Sequence, residues 1–183
     1  MNLLLPQAYL IGLVGLLAII AILVGRQVLK VRSDEYKLIQ LEKGKAADSK
    51  EPSNLYELAS VQLRKRLYPQ ATTTLREALK NLKEEPNEAK ALIENALGFS
   101  LAAQDDFISA SKHYRSALKA KEDYPVAMNN LAFAQERLNE TEQAKDLYQK
   151  VLALDPNNKT ALKQLKKLET QGINASKDNQ KGF

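Results

Sequence analysis

Five residues return in the same order thirty-four positions later, and no other property of the chain restricts its fold as much. Leu97, Gly98, Ala110, Tyr114 and Ala117 recur as Leu131, Ala132, Ala144, Tyr148 and Val151, and Pro156 closes the second copy. An earlier copy reads Leu58, Ala59, Ala71, Leu75 and Ala78, offset by thirty-nine residues, so five residues have entered between Ala78 and Leu97. A period in this range denotes stacked supersecondary units, none of which can bury its own apolar face. Each unit reads as two antiparallel helices. Small residues stand at Ala59, Gly98 and Ala132 on the first and at Ala71, Ala110 and Ala144 on the second, where two backbones can approach closely. Leu58, Leu97 and Leu131, with Leu75, Tyr114 and Tyr148, fill the space between neighbours, and burying each contributes about 1.5 to 3 kcal/mol. The recurring Leu and Tyr residues are therefore predicted to be core, not a ligand box.

In period and in the order of small and large residues the segment resembles the tetratricopeptide repeat, with units at 52–90, 91–124 and 125–158. Turn residues agree: Tyr124 with Pro125, and Asp155 to Asn158, fall between units. The five extra residues lie near Asn81 to Ala91 and either lengthen a helix or make a longer loop. Leu162, Leu165 and Leu168, with lysines between them, predict a polar-backed capping helix over 159–171, which the last unit of a solenoid requires. The tail at 172–183 offers little to bury and is expected to be disordered.

Ahead of the repeats, Ala8 to Gly25 is an apolar run with no ionisable side chain but that of Tyr9, and it holds eleven Leu, Ile or Val residues. Eighteen helical residues span about 27 Å, close to the hydrocarbon thickness of a bilayer. Arg26, Lys30 and Arg32 follow the run and no basic residue precedes it, the reverse of a cleaved secretory signal. Residues 1–25 are expected to form a transmembrane anchor, with everything after it on the cytoplasmic side or its organellar equivalent. Residues 26–51 then read as a juxtamembrane helix followed by a small, charged linker that closes at Pro52. The expected fold is all-α: one transmembrane helix, then a superhelix of three helix pairs and a cap.

The net charge of +5 is unevenly spread, with the repeats themselves slightly acidic, so the electrostatic footprint of a nucleic-acid surface is missing there. The chain has no Cys and a single His, His113, expected on the surface. No nucleophile dyad or metal-ligand set can be assembled from these residues, and Asp105 with Asp106 reads as a helix cap. No enzyme activity, cofactor, metal or small-molecule substrate is expected. The sequons at Asn139 and Asn174 are chance matches under the topology above.

A binding surface remains. The first helix of each tetratricopeptide unit lines the concave face, which places Tyr56, Asn95 and Asn129 in one row and Ser60, Phe99 and Phe133 in another, with Asn130 adjacent. Phe99 and Phe133 have the alternative of packing between units. The five positions at which some cochaperones hold a chaperone's terminal carboxylate are Tyr56, Ser60, Ala96, Val126 and Asn130 here, none of them cationic; the charge-assisted bonds of such a clamp are absent.

The opening MNLLLP, the single anchor, the segment RQVLKVR after it and three repeats in a chain of 183 residues resemble the photosystem I assembly proteins of cyanobacteria and algal plastids. That resemblance implies a thylakoid protein with its repeats in the cytosol or stroma, binding photosystem I subunits or other assembly factors. A tethered repeat protein of another membrane-complex assembly line, such as cytochrome c maturation or secretion, and an accessory subunit that docks an enzyme need the same two parts.

Overall fold

The computed structural model describes residues 4–43, 51–82 and 87–180, and every regular element in them is an α-helix. α1 (Leu4–Lys43) is one uninterrupted helix, so the expected anchor and juxtamembrane helix are continuous. Its segment Tyr9–Ser33 is long and apolar enough to cross a membrane and is not buried within the protein. The expected linker lies mostly at 44–50, outside the described residues.

Three antiparallel pairs follow: α2 (Pro52–Arg64) with α3 (Tyr68–Asn81), α4 (Asn87–Ala102) with α5 (Phe107–Ala120), and α6 (Pro125–Arg137) with α7 (Thr141–Leu154). Proline stands in the first turn of α2, α3 and α6, where its missing N–H would have had no helical partner. α4 starts four residues ahead of the unit boundary at 91, so most of the insertion became about one extra helical turn.

The turn inside each pair repeats at backbone level. Arg66, Asp105 and Asn139 have positive φ, at 61°, 61° and 63°. The N–H of the following residue donates five residues back, Leu67 to Gln62, Asp106 to Leu101 and Glu140 to Gln135, at 2.8 to 3.0 Å. This bond satisfies a carbonyl at the end of the first helix. Asp106 then caps α5, its Oδ1 accepting from the Ser109 N–H at 3.0 Å, and that bond holds its carboxyl below the usual range. Asp105 contributes the turn conformation, not the cap.

The core forms two clusters. Leu55, Leu75, Leu97 and Tyr114 belong to the first, which spans α2 to α6; Ala132, Tyr148, Val151 and Leu168 belong to the second, which runs into α8 (Lys159–Gln180). Leu118 and Leu147 pack against both. The recurring small and large residues are the buried ones, Leu58 the most exposed of them at 8%. α8 continues past the expected cap at 159–171, so residues 172–180, expected to be disordered, are helical. Extending a helix that is already docked needs no new nucleus, which lets weak helix formers continue it.

Burial raises the phenol pKa of Tyr114 and Tyr148 well above the ordinary value near 10, and for Tyr148 the carboxylate of Glu136, which accepts its hydroxyl hydrogen bond at 2.7 Å, adds to the effect. A folded-state pKa above the unfolded one means that the folded protein keeps protons the unfolded chain loses. The stabilisation is complete below about pH 10 and declines as pH rises beyond it. Thermal melts should therefore be insensitive to these groups up to that pH and fall above it, and Tyr148→Phe should flatten part of the decline.

Candidate functional site

α2 touches α4 and α4 touches α6, so the first helices of successive pairs form one continuous inner layer. Leu92 and Phe99 on α4, and Val126 and Phe133 on α6, are seven residues apart on their helices and share this face. They are 39%, 45%, 54% and 42% exposed, an unusual concentration of accessible large apolar side chains on the repeats. Tyr56 with Pro52, Ser53, Ala89, Leu92 and Ile93 lines a cleft of about 220 Å³ between α2 and the extra turn of α4.

The two phenylalanine rings point outward and also bridge units. Phe99 meets Tyr68 edge-to-face at 6.5 Å, and Phe133 meets Phe107 at 6.2 Å. Tyr68 and Phe107 open the second helix of the preceding pair, and the Arg137 guanidinium lies 4.9 Å from the Phe107 ring centre. Repeat arithmetic pairs Tyr68 with Phe107 and Leu92 with Val126, a signal present in the sequence that the small and large pattern overshadowed.

The amides act as clasps between units. Asn130 Nδ2 donates to Asn95 Oδ1 at 3.0 Å, and Asn95 Nδ2 donates to Tyr124 Oη at 3.4 Å. Asn129 Nδ2 donates to Asn158 Oδ1 at 3.1 Å, and the same oxygen accepts the Ala161 N–H at the start of α8. Both clasps span twenty-nine residues, which marks them as a repeating feature of the stack. Ser60 Oγ donates to the Tyr56 carbonyl of its own helix at 2.8 Å. Tyr56, Ser60, Asn95, Phe99, Asn129, Asn130 and Phe133 thus all lie on the first helices, at different depths. The phenylalanines remain half open, while the amides are partly buried and committed to neighbours.

His113 is not the surface residue expected. It is partly buried, its Nδ1 lying 2.7 Å from Oε2 of Glu94, whose side chain is only 10% exposed. Its helix faces α4, and the nearly buried carboxylate needs a partner there. No group of three or more potential metal ligands occurs among the described residues.

Comparison with known proteins matches the fold to its family. Residues 125–158 fit the tetratricopeptide repeat. A protein of Cyanophora paradoxa named "Uncharacterized protein ycf37" is 31% identical over 153 residues, covering 84% of this chain and 88% of that one. The chain belongs to the ycf37 family. The chloroplastic tetratricopeptide repeat domain-containing protein PYG7 of Arabidopsis thaliana is 32% identical over 154 residues; the match covers 84% of this ycf37 chain but only 51% of that protein, so the chain spans about half its length. Among solved structures, the first repeat domain of Spaghetti (RPAP3), bound to the HSP90 peptide SRMEEVD, superposes with a TM-score of 0.61 at 22% identity, over 68% of this chain and 95% of that one. That likeness is one of fold. Tetratricopeptide domains are protein-interaction scaffolds, and this ycf37 chain has that fold.

Proposed function

We propose that this ycf37 protein is a thylakoid-anchored scaffold that assists the assembly or stability of photosystem I by holding a segment of one of its subunits, or of another assembly factor, on the inner face of the repeats. The observation that carries this reading is the row of half-open apolar side chains, Leu92, Phe99, Val126 and Phe133, on a layer whose amides already lock the units in register. A preorganised surface loses little entropy on binding. The apolar Tyr9–Ser33 segment and the chloroplastic relative support a thylakoid location. Arg26, Lys30 and Arg32 support a repeat domain on the cytoplasmic or stromal side. In this reading the protein is not an enzyme and uses no cofactor. Tyr56, Ser60, Asn95, Asn129 and Asn130 border the contact, and the two phenylalanines supply its apolar anchor.

Affinity purification of the full chain from native membranes, with identification of the retained proteins, tests the proposal. Photosystem I subunits should be recovered, and Phe99→Ser with Phe133→Ser should reduce their recovery about tenfold or more, the effect of losing interface anchors. Normal recovery with the double variant would move the working surface elsewhere.

A further inference from the structure

The inner face lacks what a charged tail or an extended segment would need in order to bind there. Its charges are already paired. α4 and α6 carry five charged side chains, and four of them have partners inside the chain: Glu88 with Lys121, Glu94 with His113 at 2.7 Å, Glu136 with Lys167 at 3.2 Å and Arg137 with Asp105 at 4.0 Å. The fifth, Lys90, stands two residues before Leu92, about 200° round the helix from the apolar row.

The polar side chains are occupied as well. Nδ2 of Asn95, Asn129 and Asn130, and Oγ of Ser60, each donate to a neighbour within the chain. An extended segment crossing the face would strip water from its own backbone N–H and C=O groups, and each one buried without a partner costs free energy. No strand edge stands among the described residues to pair with such a segment. A helix brings its backbone bonds already made. The spacing suits one too: Leu92 and Phe99, like Val126 and Phe133, are seven residues apart, about 10.5 Å along the helix, the interval between i and i+7 on the apolar stripe of a partner helix. The cleft of about 220 Å³ at Tyr56 includes Leu92 in its wall and so continues the row.

We propose that the occupant of the inner face is an amphipathic helix of the partner, about two turns long, docked through an uncharged apolar stripe at i, i+3 or i+4 and i+7. The Tyr56 cleft takes one large apolar side chain from the end of that stripe. This deepens the scaffold reading above and rests on the inner face being its working surface. With the charges of α4 and α6 compensated inside the chain, the contact gains little from ionic attraction, and its strength is nearly independent of salt.

Full chains with photoreactive p-benzoylphenylalanine in place of Leu92, Phe99, Val126 or Phe133, one at a time, are bound to solubilised native membranes and irradiated, and mass spectrometry locates the attachment points. These should fall three, four or seven residues apart on one apolar stripe of a photosystem I subunit. Recovery of that subunit by the unaltered chain should change less than about twofold between low salt and about 1 M salt, where the Debye length is about 3 Å. Val126→Asp should lower recovery about tenfold or more, and Lys90→Gln should leave it unchanged. Attachment at alternate residues, or a recovery that falls about tenfold at the higher salt, would overturn the uncharged helical occupant and leave the scaffold reading in place. Helical spacing on a protein outside photosystem I would uphold the docking mode and overturn that reading. No attachment from any of the four positions, with photosystem I subunits still recovered, would move the working surface elsewhere and overturn the inference. Circular dichroism verifies the fold of each variant, and the salt dependence of the unaltered chain decides the matter should a variant misfold.

Discussion

Tyr114→Ala should destabilise the repeat domain by about 3 to 5 kcal/mol, the range for truncating a buried aromatic, which corresponds to roughly 10 to 20 °C in Tm for a domain of this size. The ring is 2% exposed and belongs to the larger core cluster. It also sits where helix α4 approaches most closely: a Cβ on Gly98 would lie 2.6 Å from Tyr114 Cε1 and 3.1 Å from the Ala110 carbonyl oxygen. Gly98→Ala alone should cost about 1 to 3 kcal/mol by overpacking, less the roughly 1 kcal/mol that alanine gains in a helix. With Tyr114 cut to alanine the obstructing ring is gone, so Gly98→Ala should be neutral or stabilising in that background. Urea unfolding of the four proteins in this cycle measures the coupling. Additivity within about 0.5 kcal/mol would show that Gly98 and Tyr114 do not set the α4–α5 distance. The third pair shows that the fold tolerates a methyl there when the helices are spaced for it, since Ala132 occupies the equivalent position fully buried.

Deleting residues 1–33 should move the protein from the membrane fraction to the soluble one. The deleted segment holds Tyr9–Ser33, none of which is buried within the protein, and its eleven branched aliphatic side chains between Ala8 and Gly25 each favour insertion by about 0.3 to 0.6 kcal/mol. Starting at Asp34 keeps Glu35 and its pair with Lys65. The truncated chain should therefore remain helical, and its melting temperature should change little. Fractionation with alkaline carbonate and circular dichroism report the two outcomes. A truncated chain that still pelleted with membranes would show that the repeats bind them independently of α1, and an unfolded one would show that the apolar segment contributes to the core.

The five-residue insertion shows where one-dimensional evidence stops. Its existence follows from the step between Ala78 and Leu97, yet whether it becomes helix or loop depends on whether the residues ahead of Ala91 find something to lie against. Ala89 and Leu92 meet Pro52 and Tyr56 across a cleft, and the helix extends to reach them. The positive φ shared by Arg66, Asp105 and Asn139 was hidden for a different reason. Asparagine and aspartate favour a left-handed residue, but arginine does not, and its conformation there reflects the closing turn and not side-chain preference.

Periodicity by itself determined the helix pairs, their number and the identity of the buried Leu, Tyr, Gly and Ala positions, because inward-facing residues must recur with the interval at which units stack. The apolar opening of α1 was equally legible, since composition over that length is sufficient to define a potential span. What lies across from a given side chain was left to the tertiary structure. Asn95 and Asn129 read as open groove amides until Tyr124 and Asn158 are brought beside them. Phe99 and Phe133 read as either core or surface until Tyr68 and Phe107 take one edge of each ring and leave the other in solvent. His113 acquires its partner only when α4 presents Glu94, and Lys65 in the turn after α2 acquires Glu35 when α1 packs beside it. Each of these pairs joins residues nineteen to thirty-one positions apart. A repeat pattern predicts which face a residue occupies; the identity of its neighbour is decided when the helices pack.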